Sequence, residues 1–276
     1  MESIRVLFVS QEITPYLPET EMSLIARTLP QKVQERGMEI RTFMPRYGLI
    51  NERRNQLHEV IRLSGMNLII NDTDHPLIIK VASIQSARMQ VYFIDNEDYF
   101  QRKFVFTDEK GEEFADNDER AIFFARGVIE TVRKLRWAPD IVHCHGWFTS
   151  FVPLYLKKVY FDDPLFVQSR VVYSFYNDAF EKPLSRNLKQ KLVMEGVHAR
   201  DIEMLDKPSY QNVMQMVAKM ADGLVLGSRE VDPGVLEMVS RLKKPLLRHF
   251  EDGEEYVDLY TAFYDKILAA NKVVHT

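Results

Sequence analysis

Two histidines flank a cysteine directly after an apolar run, in the segment His143-Cys144-His145. In a strand, residues two apart lie on the same face, so both imidazoles could bind one metal ion. A structural zinc site needs four ligands, and no further ligand lies nearby in the sequence, so we expect no metal site. His145 at the carboxyl end of a parallel strand could instead face a ligand crevice, or it could be a core histidine. The mid-strand position of Cys144 predicts a buried, unreactive thiol.

Carboxylates stand where a phosphate-binding loop would be expected, after the first apolar run. The turn carries no glycine, and Glu19 and Glu21 flank Thr20 at the start of a helical pattern. Acidic side chains complement the positive end of the helix dipole and repel a phosphate there. An ordinary N-cap by Thr20 is the simpler interpretation.

Two Asp-Asn pairs mark element boundaries. Asp95-Asn96 follows an apolar run, and Asp116-Asn117 precedes a long helical pattern. Both pairs are explained by Asx turns or helix caps, and we expect Asp116 or Asn117 to cap the helix. Neither a nucleophile elbow nor a P-loop motif occurs.

Composition excludes several classes of protein. The 276 residues carry 36 Lys and Arg against 40 Asp and Glu, a formal charge of −4, and 46% are hydrophobic. This balance argues against nucleic acid as a partner and against disorder. One cysteine excludes an intramolecular disulfide framework, and no apolar run approaches the roughly 20 residues of a membrane span. The N-terminus reads as a first strand rather than a signal peptide, so we expect a cytoplasmic protein with no membrane partner.

Strand and helix patterns alternate along the chain, which is typical of a parallel α/β sheet. Apolar runs predict strands at residues 4–9, 39–44, 140–144, 171–174 and 224–226. Helical periodicity predicts helices ending at Gly37 and over residues 117–136, 149–159, 187–195, 211–220 and 254–270. Short runs at 68–70, 77–81 and 89–94 suggest inserted antiparallel hairpins. We therefore expect one doubly wound, mainly parallel, Rossmann-like domain over residues 1–276.

Several segments resemble the N-terminal domain of bacterial-type glycogen and starch synthases, in order and spacing, over about residues 4 to 230. They are residues 6–12, Pro15, 29–30, 44–48, 92–96, 116–117, 139–145 and 219–223. The resemblance implies a GT-B architecture, in which two Rossmann-like domains face each other across a cleft. It also implies glucosyl transfer from ADP-glucose or UDP-glucose to an α-1,4-glucan, without a cofactor.

The resemblance also implies which residues belong to the ancestral cleft. Positions that match family residues are Glu12, Asp116, Asn117, His143, His145, Trp147 and Asn177. The family's Lys-Thr-Gly-Gly loop aligns with Pro18, Glu19, Thr20 and Glu21, hereafter the donor loop, which has lost the lysine and both glycines. A family histidine near the reacting sugar is replaced by Phe148, and Phe175-Tyr176-Asn177 stands for Val-His-Asn.

The length of the chain and the changed donor loop together predict a protein that is inactive alone. We assign no residue as catalytic. The chain is too short for the family's nucleotide-sugar domain, and residues 254–270 are similar to its final helix, which returns to cover the N-terminal domain. The alternative is a non-catalytic module that binds a glucan or small carbohydrate, or that packs against a partner or a second copy. A different reaction that uses Asp116, His145 and Asn177 also stays open.

Overall fold

The computed structural model describes residues 3–250 and 256–270. Ten strands are seen in this part of the chain: β1 Arg5–Ser10, β2 Glu39–Pro45, β3 His58–Glu59, β4 Met66–Ile70, β5 Thr73–Ile84, β6 Met89–Asp95, β7 Ile141–His145, β8 Arg170–Phe175, β9 Gly223–Leu226 and β10 Leu246–Leu247. The α-helices are α1 Glu21–Glu35, α2 Glu97–Phe100, α3 Asn117–Leu135, α4 Phe151–Lys158, α5 Leu188–Met194, α6 Tyr210–Met220, α7 Pro233–Arg241 and α8 Tyr256–Ala269. Sequence patterns missed α2, α7, β3 and β10.

The strands form one sheet in the order β10-β9-β8-β7-β1-β2-β6-β5-β3, with β4 also paired to β5. Every pairing from β10 to β6 is parallel, and β5 pairs antiparallel with β6, β3 and β4. The predicted α/β, mainly parallel sheet with inserted hairpins is confirmed.

One hairpin strand has a second role that its sequence did not indicate. β6 completes the hairpin with β5 but also lies parallel to β2, where Thr42 pairs with Val91. Its residues from Val91 to Asp95 are buried on both faces, as expected of a strand inside a parallel sheet rather than of an insertion. The turn before β5 is tight, since Asn71 and Asp72 both adopt left-handed backbone angles.

Helices cover both faces of the sheet. On one face α3, α4 and α6 bury the larger core, and on the other α1 and α8 bury a second cluster with Val6, Phe8 and Ile141 of the central strands. α8 lies so close to the sheet that a Cβ at Gly223 would stand 2.6 Å from Ile267 Cδ1. The expected start of this helix at Glu254 lies outside the described residues. None of the described helices is both long and apolar enough to cross a bilayer.

The strand order reverses between β1 and β7. From β1 the chain continues to β2 on one side, whereas β7 lies on the other side. In open α/β sheets the crevice at such a switch point, outside the carboxyl ends of the strands, is where ligands bind. The segments that begin at Gln11 and at Gly146 therefore form the two edges of the crevice in this molecule.

Candidate functional site

The crevice between β1 and β7 is filled by a side chain of the protein. The Gln11 backbone N–H donates to the His145 carbonyl at 3.2 Å, and the Gln11 Oε1 accepts from the Phe148 backbone N–H at 3.1 Å. Gly146 permits this contact, because a Cβ there would stand 2.5 Å from Gln11 Oε1, and its φ of +86° favours glycine. Gln11 therefore occupies the place where a ligand could approach the strand ends.

Both histidines of β7 lie in the core beneath this crevice, with ring centroids 4.0 Å apart. His143 Nδ1 is 2.7 Å from the Tyr264 hydroxyl of α8, and its Nε2 is 2.7 Å from Ser174 Oγ. His145 Nδ1 is 2.8 Å from the Tyr176 hydroxyl, while its buried Nε2 has no hydrogen-bond partner among the described residues.

Burial keeps these imidazoles neutral. It lowers the pKa of His145 to about 3 and that of His143, which also lies beside His145, well below the usual range. The described residues contain no group of three or more side chains suited to a metal ion. Cys144 is buried as predicted, and burial raises the pKa of its thiol. Because His145 is fully buried, the structure supports its interpretation as a core histidine.

The donor loop enters α1 through the predicted N-cap. The Ser23 backbone N–H donates to Thr20 Oγ1 at 3.0 Å, and the Thr20 backbone N–H donates to Ser23 Oγ at 2.8 Å, a reciprocal capping box. The Thr20 hydroxyl also donates to Glu12. Burial raises the pKa of Glu12, although the Thr20 hydrogen bond opposes the shift. Glu19 and Glu21 are exposed.

A cavity of about 360 Å³ opens between this loop and the end of β8, and it brings part of the predicted set together. Three of its residues carry carboxylates, and no Lys, Arg or His of the described chain lines it. We call it the acidic cavity; it is lined by Gln11, Glu12, Thr20, Glu21, Met22, Tyr176, Asn177, Asp178 and Ser228. It unites Glu12 and Asn177 with half of the donor loop.

Asp178 is the carboxylate of this cavity that sequence reasoning missed. Its Oδ2 accepts from the Trp147 backbone N–H at 2.7 Å, and its Oδ1 accepts from the Tyr210 hydroxyl at 2.9 Å. Burial raises its pKa to about 6, and the nearby Glu12 adds to the shift. The sequence signal that could have identified it is its position next to Asn177 shortly after a strand, because the other Asp-Asn pairs also lie at element boundaries.

The expected cap of α3 is wrong for both members of the Asp116-Asn117 pair. Asp116 stands at the N-cap position, but its carboxylate accepts from Arg102 Nη1 at 2.7 Å and Nη2 at 2.5 Å and makes no capping bond. Burial alone would raise the pKa of Asp116, but the Arg102 guanidinium holds it below its usual value. Asn117 donates to the Phe106 carbonyl at 2.9 Å and accepts from buried Arg120 at 2.6 Å. A cation outcompetes the helix N–H groups for the carboxylate.

Trp147 lies apart from the acidic cavity. The residue is 3% exposed, and its ring centroid lies 5.0 Å from those of Phe106 and Phe180. It joins Asn117 in a second cavity of about 180 Å³, hereafter the aromatic cavity, lined by Glu113, Phe114, Ala115, Asn117, Trp147, Phe180, Lys182, Pro183, Leu184 and Ser185. The structure thus does not bring the predicted cleft residues together in one site. Some line the acidic cavity and others the aromatic cavity, whereas Asp116 is held in an ion pair and His145 lies in the core.

Residues 5–239 match the family described as "Starch synthase catalytic domain". The chain belongs to this family. Among curated relatives, it is 36% identical to a glycogen synthase of Chlorobium limicola over 82% of this chain and 46% of the relative. It is 34% identical to a glycogen synthase of Chlorobium phaeovibrioides over 83% of this chain and 51% of the relative. The chain therefore spans about half the length of these relatives.

A solved member with the same fold is described as the catalytic domain of starch synthase IV from Arabidopsis thaliana, bound to ADP and acarbose. The TM-score is 0.74 at 14% identity, over 92% of this chain and 52% of that one. At that identity the likeness shows the fold alone. The resemblance to glycogen and starch synthases is confirmed by the family match.

Proposed function

We propose that this glycogen/starch synthase-related chain does not by itself transfer glucose from a nucleotide sugar. The observation that carries the proposal is the acidic cavity, in which Glu12, Glu21 and Asp178 face one space that no cationic side chain of the described residues lines. The related starch synthase is described as bound to ADP, so a nucleoside diphosphate is the ligand class to consider. Transfer from a nucleotide sugar develops negative charge on the departing diphosphate, which enzymes stabilise with cations or N–H groups.

Charge and shape at the crevice both oppose a diphosphate. Like charges about 4 Å apart repel by roughly 1 kcal/mol in water and by more where water is partly excluded. The N–H groups of Thr20 and Ser23 at the start of α1 are already bonded within the capping box. Gln11 fills the space between the strand ends. The chain's organisation as one domain closed by α8 is part of the same proposal.

The decisive assay incubates the full chain with radiolabelled ADP-glucose or UDP-glucose and glycogen. We expect no transfer above a no-protein blank, with the Chlorobium limicola glycogen synthase as the positive control. Transfer above the blank would overturn the proposal.

A matched pair of charge reversals tests the electrostatic reason. We expect Glu21→Lys, inside the acidic cavity, to raise ADP affinity in calorimetry, and Glu19→Lys, an exposed neighbour that does not line it, to raise it much less. Equal gains, or tight ADP binding by the wild type, would contradict the reasoning.

A second candidate function is non-catalytic binding of a glucan unit in the aromatic cavity. Phe180 supplies ring surface there, and Lys182 and Ser185 supply polar groups, the combination that orients small polar ligands in pockets. We expect maltotriose to raise the melting temperature of the wild type and not of Phe180→Ala. An unchanged wild-type melting temperature would contradict it.

The other non-catalytic role, packing against a second copy of the chain or against another protein, remains a prediction. Sedimentation velocity of the full chain tests self-association, and a concentration-independent monomer would contradict packing between copies.

A further inference from the structure

A shallow groove that shares no residue with the acidic cavity gathers three cations. It has a volume of about 400 Å³ and lies between the early part of β2, the turn after β3 and the last turn of α3. Its lining, which we call the basic groove, consists of Arg41, Arg62, Leu63, Tyr92, Lys134 and Leu135. No acidic residue of the described chain lines it, although the protein as a whole carries a formal charge of −4.

Arg41 is held in place by neutral groups. Its guanidinium carbon lies 5.1 Å from the Trp137 ring and 6.0 Å from the Tyr92 ring, and its Nη1 donates to the Tyr92 hydroxyl at 2.9 Å. Its buried Nε has no hydrogen-bond partner among the described residues. The rings and the hydroxyl fix the guanidinium without cancelling its charge.

Lys134 is fixed in a similar way, because its Nζ donates to the Leu63 carbonyl at 3.0 Å. Arg62 is exposed at the rim. Within the described residues, none of Arg41, Arg62 and Lys134 makes an ion pair. By contrast, the neighbouring cations Arg46 and Lys80 share the carboxylate of Glu52.

Cationic side chains that are held in place by neutral groups, and are not paired with carboxylates, are typical of an anion-binding site. A planar guanidinium suits the oxygens of a tetrahedral phosphate, and an ammonium adds a point charge that tolerates several geometries. Half-buried Leu135 offers a small apolar surface for the body of a phosphate ester.

We propose that the basic groove binds the phosphate group of a small phosphorylated molecule or of free phosphate. Arg41 and Lys134 form the fixed part of the site and Arg62 closes over the anion from the rim. The groove is independent of the acidic cavity, so a chain inactive in glucosyl transfer still binds the anion there.

Isothermal titration of the full chain with inorganic phosphate at pH 7.5, against sodium chloride of equal ionic strength, tests the proposal. We expect saturable binding of one phosphate per chain. Arg62→Gln and Lys134→Gln should each weaken it by about tenfold, which is about 1.4 kcal/mol.

Arg54→Gln is the matched control, because Arg54 lies with Arg27 in a different basic depression. Loss of phosphate binding in Arg54→Gln but not in Arg62→Gln would overturn the proposal, as would the absence of saturable binding in the wild type. Glycerol 3-phosphate separates the two sources of the anion. Tighter binding of this ester than of phosphate identifies a phosphate monoester as the ligand, and equal or weaker binding identifies free phosphate.

Discussion

Substituting Gly146 with Ala probes the contact that closes the crevice. The new Cβ would stand 2.5 Å from Gln11 Oε1, and the residue would keep a φ of +86°. With the ψ of 159° found at this residue, a positive φ lies in a region almost confined to glycine, and holding an L-residue there costs about 1–3 kcal/mol. Moving Gln11 away leaves the buried Phe148 N–H without its acceptor, which costs about 1–3 kcal/mol more. We therefore expect Gly146→Ala to lower the free energy of unfolding by about 2–6 kcal/mol, measured by urea denaturation.

Gly37 supplies a control in which alanine is placed at a positive φ without a clash. Its φ is +88°, but nothing lies within 4 Å of a Cβ built there. Gly37→Ala should therefore cost only the strain, about 1–2 kcal/mol. In Gln11→Ala the Phe148 N–H is already unpaired, so Gly146→Ala in that background should cost about 1–3 kcal/mol less than in the wild type. Equal costs at Gly146 and Gly37, or additive costs in the double variant, would refute the claim that Gln11 fills the crevice through Gly146.

Tyr264→Phe leaves His143 Nδ1 unpaired in the core and should cost about 1–3 kcal/mol in urea denaturation, whereas Tyr155→Phe removes a buried hydroxyl that has no partner in the described part of the chain and should cost nearly nothing. Equal costs would show that the bond to α8 contributes no stability. Because the pKa of His145 is about 3 when folded and near 6.5 when unfolded, acid favours the unfolded chain, and this histidine alone should lower the free energy of unfolding by about 2 kcal/mol from pH 7.5 to pH 5. The raised pKa of Asp178 makes acid favour the folded chain instead, but it does so equally in the wild type and in His145→Gln. We therefore expect the free energy of unfolding to decrease less between pH 7.5 and pH 5 in His145→Gln than in the wild type. Equal decreases in the two proteins would contradict the role given to His145.

Local chemistry was the part of the site that the sequence could predict. Thr20 caps α1 as expected, because a cap depends on residues within one turn of it. Asp116 fails as a cap because Arg102 reaches it from a loop 14 residues earlier, a contact that no local pattern contains. Gln11 was not recognised at all, since its role depends on Gly146 and Phe148, which the parallel pairing of β1 with β7 brings beside it.

The fold was likewise predictable where it depends on local sequence and not where it depends on contacts between distant segments. Apolar periodicity located the central strands and the long helix α3 to within a few residues. It could not show that β6 lies parallel to β2, because pairing partners are chosen by burial on both faces and by chain crossover. The acidic character of the cavity was predictable in part, since Glu21 of the donor loop stands out in the sequence. Asp178 adds to it from the loop after β8 only when the sheet is assembled.

Phe148 links the closed crevice to the core, and this makes the closure difficult to reverse. Its N–H is bound by Gln11, and its ring lies 5.8 Å from Phe124 and 5.1 Å from Phe106. The guanidinium of buried Arg120 lies 5.8 Å from the same ring. A histidine here, as the family resemblance implies for active relatives, would place a polar ring among aromatic walls and beside a buried cation, which also disfavours its protonation. Phe148 therefore packs one edge of the crevice, and restoring positive charge to the donor loop alone would leave that edge closed.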